Sequence, residues 1–157
     1  MKEGEKVISI HSQERWQRRD LELTNWVECV KPRRRTKQTA WLGNIEVDTE
    51  IFGALVSLKR LGLQTEFSCA GVSPLDEPVD HSMYAYITLF ASEKAHRFVQ
   101  FAIRMMKHRL LVTFEPLRDR YDLSSFFIGH NRSFCILLHH CAESFVQWEM
   151  DRNADMN

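Results

Sequence analysis

The stretch from Asp48 to Cys69 constrains the fold most, because a complete helix pattern runs directly into a strand pattern. Asp48 is a favourable N-cap, and we expect its carboxylate to accept first-turn amides. Gly62 suits the position after the helix, where a left-handed conformation is common. From Leu63 to Cys69, apolar and polar residues alternate as in a half-buried strand. The apolar residues at helical spacing are Ile51, Phe52, Leu55, Leu58 and Leu61. A helix followed at once by a strand predicts a fold that mixes both.

Length and composition agree with one folded unit. The chain has 157 residues, of which 44% are hydrophobic and 27% charged. A chain this long can bury an apolar core without help from a disulfide or a metal. We therefore expect a single α+β domain over residues 1–157, with residues 1–44 as a less regular N-terminal segment.

Periodicity predicts the other elements. Residues 21–30 alternate and favour a strand, although a helix stays open there, and Pro32 ends whatever precedes it. Elsewhere we expect helices over 12–19, 92–108 and 142–152. Strands are expected over 83–90 and 110–114, and a hairpin is expected to pair 125–128 with 133–139. Residues 71–81 are expected to form a loop. The predicted fold class is α+β: a mostly antiparallel sheet of about four to six strands, with two or three helices packed on one face.

Two absences narrow the function classes. No apolar run approaches the ~18 residues that a membrane helix needs, and residues 1–10 lack the apolar stretch of a signal peptide. We therefore expect a cytoplasmic protein without a membrane partner. In that compartment the four cysteines should be thiols, most of them buried as small apolar side chains.

Charge is unevenly distributed along the chain. The net charge is zero, with 21 basic and 21 acidic residues. Residues 1–45 carry ten basic and six acidic side chains (+4), residues 46–90 two and seven (−5), and residues 91–157 nine and eight (+1). Zero net charge gives no support to a nucleic-acid or membrane binder that uses its whole surface. The uneven distribution is still compatible with a fold that has separate basic and acidic surfaces.

The sharpest chemical motif is Ser68-Cys69-Ala70-Gly71 at the end of the predicted strand. Gly71 allows a positive φ and a tight exit, so the Cys69 thiol would lie at the end of the strand. The following loop adds Asp80 and His81, together with Asp76 and Glu77. These residues could provide a nucleophile with its base, with Cys69 and His81 as the catalytic candidates, or a metal site. The competing interpretation is a core cysteine beside a solvated acidic loop. Ligand-binding candidates are Ser68, Cys69, Gly71, Asp80 and His81.

This part of the chain resembles a group of small uncharacterised bacterial and phage proteins. The shared pattern is Ile45-Glu46-Val47-Asp48, a short helix, Leu61-Gly62-Leu63-Gln64-Thr65, Phe67-Ser68-Cys69-Ala70-Gly71, and a strand with Tyr84-Ala85-Tyr86-Ile87. Many members have Gln or Glu where this chain has Ala70. The resemblance implies a bacterial or phage-like origin and no established activity.

A second cluster, His139-His140-Cys141, suggests metal ligands at first sight. On a strand, however, adjacent histidines point to opposite faces, and Cys135 would lie ~13 Å from His139. We therefore expect no metal site there, and interpret these residues as the end of a strand and the start of a helix.

A basic segment gives the other candidate surface. Arg33, Arg34, Arg35 and Lys37 lie between Trp26 and Trp41, and arginines beside indoles can contact phosphates and stack on bases. Arg118, Arg120 and Arg132, predicted in a later loop region, could extend this patch. A solvated loop is the alternative.

Two functions remain open. The first is a non-catalytic binding or accessory protein with a nucleic-acid or protein partner and no cofactor. The second is a small enzyme or metal-binding protein that uses Cys69. We favour the first, because the sequence shows a recognisable setting for a nucleophile but not for a complete catalytic group. The strand 83–90 places Tyr84, Tyr86 and Phe90 on one face, which a helix or a second subunit in a homodimer could cover.

Overall fold

A computed structural model describes residues 4–28, 38–72 and 82–156 of the chain. The described elements comprise four helices, seven strands and two short 3-10 turns. The helices α1 to α4 span Gln13–Glu28, Thr49–Arg60, Glu93–Met106 and Asn131–Met156. The strands β1 to β7 span Lys6–Val7, Thr39–Leu42, Ile45–Asp48, Thr65–Cys69, Tyr86–Phe90, Leu110–Glu115 and Arg120–Ser125. The 3-10 turns are Lys107–Arg109 and Ile128–His130.

Five strands form an antiparallel sheet in the order β1-β6-β7-β5-β4, and β2 pairs with β3 in a separate hairpin. Strands β5 and β6 both pair antiparallel with β7, so they run parallel to each other. Helix α3 makes the connection between them. The predicted α+β class with a mostly antiparallel sheet is confirmed.

Helices α2, α3 and α4 pack on one face of this sheet. Phe98 of α3 and Phe134 and Phe145 of α4 are fully buried, and they join Ile87 and Leu123 of the sheet in one apolar cluster. The rings of Phe98 and Phe145 meet edge to face at 5.4 Å. The prediction that helices cover one face is therefore confirmed.

Helix α1 corrects the strand predicted over residues 21–30, because its described part is helical as far as Glu28. Its inner side mixes charged residues with partly buried apolar ones, and the Trp16 ring packs on the Phe126 ring. Arg19 donates to the carbonyls of Ser125 and Phe126, and Glu22 accepts the amides of Ile128 and Gly129. Trp16, Leu23 and Trp26 form a narrow, partly buried apolar stripe, and the charged residues that interrupt it obscure the helical pattern in the sequence.

Helix α4 corrects the hairpin predicted across Gly129–Asn131, since a single helix begins at Asn131. Phe134, Leu138 and Phe145 form its buried stripe, at spacings of four and seven residues. The Ile-Leu-Leu run at 136–138 suggested a strand, but the spacing of the large apolar residues is helical. None of the helices in the described ranges is long and apolar enough to cross a membrane.

Candidate ligand-binding groove

Strand β7 shows how the sheet acquires two different faces. Tyr121, Leu123 and Ser125 are buried beneath the helices, while the alternate residues point to the opposite face. On that face Asp122 lies between Thr88 of β5 and Thr113 of β6. Opposite residues on antiparallel strands share a face, so this register defines a row of polar side chains across the sheet.

A groove of about 590 Å³ lies over this open face. Its volume falls within the range of small-ligand sites. Phe67 of β4 is 54% exposed, and Phe90, the last residue of β5, is 39% exposed. The lining residues are aromatic (Phe67, Tyr84, Tyr86), hydroxyl-bearing (Ser82, Thr88, Ser124), acidic (Glu5, Glu115, Asp122) and basic (Arg118, Arg120). The groove thus offers both ring surface and polar groups.

The two arginines of the groove are already paired. Arg118 lies 3.5 Å from Glu115, and Arg120 forms an ion pair with Glu66 of β4. Both Glu66 and Phe67 sit where a β-bulge shifts the register between β4 and β5. A bulge re-aims side chains, which explains why this edge supplies two groups to the open face.

Two carboxylates of the groove keep unused acceptor capacity. Asp122 accepts a hydrogen bond from the Thr88 hydroxyl at 2.6 Å, and Glu5 accepts one from Thr113 at 2.9 Å. Within the ranges that the structure describes, neither forms an ion pair. Because the arginines are neutralised by Glu66 and Glu115, the groove and its rim carry an excess of negative charge.

Tyr86 lies in the groove near Asp122. Burial raises the pKa of its phenol, and the nearby Cys69, Asp122 and Asp48 raise it further. The phenol therefore stays protonated at neutral pH and can donate a hydrogen bond, while its ring provides a face for a cation.

Tyr84 closes one end of the groove beside α1. The Arg19 guanidinium lies 3.8 Å from the centre of its ring. Burial raises the pKa of the Tyr84 phenol despite the opposing effect of Arg19. The Tyr84 hydroxyl oxygen is buried, and among the residues that the structure describes it has no hydrogen-bond partner. Arg19 thus anchors α1 and also fixes the position of a groove residue.

The motif at the end of β4 is placed by backbone contacts. Cys69 is half-buried and lies opposite Tyr86, so it faces the groove, whereas Ser68 lies opposite Ile87 on the helix-covered face. The Gly71 amide donates to the Cys69 sulfur at 3.4 Å. Hence Ser68 and Cys69 do not converge on one ligand position.

Asp48 departs from its predicted role. It precedes α2 as expected, but its side chain makes no capping bond to that helix. Instead its carboxylate accepts the amide of Ala70 at 2.8 Å. The expected cap is wrong because this carboxylate reaches the backbone that leaves β4, tying the start of α2 to the Cys69 turn.

Gly71 is required by its surroundings. Its φ is +79°, and a Cβ there would lie 2.6 Å from the Ala85 amide nitrogen and would clash with Asn131. The buried Asn131 side chain accepts from Ala85 and Ser125 and donates to the carbonyls of Val72 and Met83. This glycine therefore has a packing role, and its predicted positive φ is confirmed.

Several predicted site residues lie outside the described ranges. They are Asp80 and His81, with Asp76 and Glu77, and the basic residues Arg33, Arg34, Arg35 and Lys37. The convergence of His81 on Cys69, and nucleic-acid binding by the basic segment, therefore stay predictions.

The later arginines do not form the predicted loop patch. Arg118 lies in the β6–β7 turn and Arg120 in β7, and both line the groove. Arg132 is in the first turn of α4, where it donates to Glu50 of α2 at 2.9 Å. Arg118 and Arg120 belong to the hairpin of β6 and β7 and Arg132 belongs to α4, so the three do not share one loop.

The His-His-Cys cluster lies on α4, not at a strand end. Cys135 and His139 are therefore one helical turn apart rather than ~13 Å apart. Ser57 and the Gly53 carbonyl contact Nδ1 of His139, and Glu143 lies 3.0 Å from Nε2. In the described part of the chain, no three His, Cys, Asp or Glu side chains are grouped to hold a metal ion.

Sequence reasoning missed Asp122, Glu115 and Phe67 as groove residues. The alternation of polar and apolar residues in Arg120–Ser125 was the available signal for β7. Phe67 had no such signal, because strict alternation does not anticipate a bulge.

No known family model, curated protein or solved structure matches this chain. The resemblance based on Val47-Asp48 and Ser68-Cys69-Ala70-Gly71 stays a prediction. Functional inference therefore rests on the geometry of the groove.

Proposed function

We propose that this chain is a non-catalytic binding or accessory protein whose binding surface is the open face of the sheet. The observation that carries the proposal is the combination of exposed Phe67 with carboxylates that retain acceptor capacity in one groove. Exposed aromatic side chains beside polar groups are typical of recognition surfaces.

The geometry around Cys69 supports the non-catalytic alternative. Among the described residues, the hydrogen bond to the Cys69 sulfur comes from the Gly71 amide, and no histidine or carboxylate is bonded to it. A nucleophilic cysteine needs a base within hydrogen-bond reach or a lowered pKa. A protein partner fits the acidic groove better than a nucleic acid does, since phosphates would meet uncompensated carboxylates.

NMR titration of the ¹⁵N-labelled protein tests the binding surface. The probes are short peptide amides of alternating lysine and leucine, the matching glutamate–leucine peptide, and a short oligothymidylate. We expect amide shift changes to cluster on β5 and β7 for at least one probe. Phe67→Ala should weaken that binding several-fold, because stacking and apolar contact are lost. Trp41→Ala, which removes an exposed ring from the separate hairpin, should not.

Shift changes confined to other surfaces, or an absence of binding by every probe, would contradict this proposal. The oligothymidylate titration also tests the basic segment. If Arg33, Arg34, Arg35 and Lys37 bind nucleic acid, replacing the three arginines by alanine should abolish a salt-sensitive association.

Cys69 keeps the second candidate function open, because its half-buried thiol faces the groove beside Tyr86. Native thiol labelling should modify Cys69 before Cys141, since burial raises the pKa of the Cys141 thiol to about 12. An unreactive Cys69 would remove the enzyme hypothesis.

Location and assembly complete the proposal. We place the protein in the cytoplasm, supported by Cys69 and Cys141, which are free thiols. A homodimer that uses the open sheet face is the assembly to be tested. Analytical ultracentrifugation over a range of concentrations would reveal it.

A further inference from the structure

We infer that the groove binds a basic peptide segment of a protein partner, with a lysine or arginine side chain seated between Asp122 and the ring of Tyr86. This inference rests on the proposed function, since it names the partner chemistry of the same surface. It follows from the charge, the ring positions and the dimensions of the groove.

The charge balance favours a cation. Glu115 and Glu66 neutralise the two arginines, which leaves Glu5 and Asp122 bonded to hydroxyl groups alone within the described ranges. An ionised carboxylate can accept several hydrogen bonds, so Asp122 can take a second donor without losing Thr88. A bound ammonium or guanidinium would make a charge-assisted bond there.

The ring geometry favours the same site. Tyr86 pairs with Ser124, two residues along β7 from Asp122, so the tyrosine and the aspartate are diagonal neighbours on the open face. Such neighbours are ~7–8 Å apart, which leaves room for a cationic group between them. The ring face of Tyr86 attracts a cation, and the adjacent carboxylate adds to this attraction.

The dimensions favour a peptide over a small amine. The groove crosses β6, β7, β5 and β4, three inter-strand spacings of ~4.8 Å, or roughly 14 Å in all. At ~3.3 Å per residue, this width accommodates about four residues of extended chain. Phe67 at one edge provides an apolar contact for a side chain next to the cation.

The test compares the three titration probes on the native chain and on matched variants. The lysine–leucine peptide should bind most tightly and shift the amides of β5 and β7, and its affinity should fall with added salt. Asp122→Asn should weaken binding about tenfold, as expected for the loss of a charge-assisted hydrogen bond. Asp155→Asn removes the same charge from the exposed end of α4 and should change nothing.

Tyr86→Phe keeps the ring and should retain most of the affinity, whereas Tyr86→Ala should lose several-fold. Thermal unfolding and dispersed amide spectra of each variant check that it is folded. Equal weakening by Tyr86→Phe and Tyr86→Ala would overturn the role of the ring.

The possible results distinguish a failure of the basic-peptide inference from a failure of the proposed binding function. Preferential groove binding by the glutamate peptide or the oligothymidylate would overturn the basic-peptide inference and leave a binding groove. Groove shifts that depend on protein concentration alone would overturn it in favour of a second copy. Equal effects of Asp122→Asn and Asp155→Asn would show that the peptide responds only to the net charge of the protein. That result would overturn the assignment of the cation to a position between Asp122 and Tyr86. If no probe shifts the groove, both proposals fail.

Discussion

The two faces of the five-stranded sheet are built from the same strands and serve different ends. On β7, Leu123 is fully buried beneath three helices, while its neighbour Asp122 lies in the groove with a threonine hydroxyl as its partner. On β5, Ile87 and Leu89 face the core, and Tyr86 and Thr88 face the groove. The covered face supplies stability through apolar burial, whereas the open face keeps groups that can exchange water for a ligand.

This contrast means that substitutions one residue apart should have opposite consequences. Changes on the covered face should lower the free energy of unfolding, and changes on the open face should act mainly on binding.

Leu123→Ala should have the largest effect. Removing a fully buried leucine side chain from the covered face costs about 2–5 kcal/mol of unfolding free energy, depending on how far the cavity collapses. Urea unfolding followed by circular dichroism measures the loss. Ser124→Ala, on the open face of the same strand, is the control and should stay within ~0.5 kcal/mol of the parent. Similar losses for both variants would refute the division between the faces.

Gly71→Ala should cause the second-largest loss of stability, because Gly71 lies where the chain leaving β4 packs against the buried Asn131. A left-handed conformation costs a non-glycine residue about 1–2 kcal/mol, and the clash with Asn131 and Ala85 adds to this cost. Gly62→Ala is a matched control, since Gly62 has a φ of +82° and open space around it. The same unfolding midpoint for the two variants would show that Asn131 yields without cost.

The ion pair between Arg120 and Glu66 should contribute less. Both side chains are partly buried at the edge of the groove, and a double-mutant cycle with Arg120→Met and Glu66→Gln should give a coupling of about 0.5–1 kcal/mol. The coupling should shrink in high salt. A coupling near zero would leave Arg120 available to a ligand and weaken the argument for an acidic groove.

His11 should contribute the smallest effect at neutral pH, because its protonation changes stability only in acid. Its ring stacks on the buried Phe126, which also contacts Trp16 of α1, and burial, followed by the charge of Arg15, lowers the pKa of His11 from 6.5 to about 4. The unfolded state therefore binds the proton more tightly, so stability should fall as the pH drops from about 6.5 to about 4. No such change is expected from this group above that window.

Urea midpoints at several pH values within that window measure the slope. His11→Phe keeps an aromatic ring and should flatten the slope, while the exposed His140→Gln should leave it unchanged. Parallel pH profiles for the parent and His11→Phe would contradict the assignment.

Local pattern predicted the elements whose apolar residues face the core. Helix α2, helix α3 with its Ser92 cap, and strands β5 and β6 follow directly from periodicity, and Ser92 does accept the amide of Ala95. These elements can be predicted from the sequence because burial on one face requires apolar residues at a regular spacing. The aromatic face of residues 83–90 follows from the same kind of alternation.

Other elements could not be read in this way. Helix α1 docks through Arg19 and Glu22, whose partners are backbone groups more than 100 positions away. The turn-like Gly129–Asn131 conceals a buried asparagine that joins three segments of the chain. In both cases polar side chains satisfy distant backbone groups, and such pairing leaves no periodic trace in the sequence.

By itself, the sequence determined the fold class, the helix-covered face and the turn at Gly71, because apolar spacing and backbone conformation are local properties. The tertiary structure alone decided that Phe67, Tyr86 and Asp122 share one groove. It also decided that the carboxylate of Asp48 accepts the amide of Ala70 rather than capping the helix that Asp48 precedes. Strand register and a bulge bring these groups together from distant positions. Their chemistry as a set therefore exists only in the folded chain.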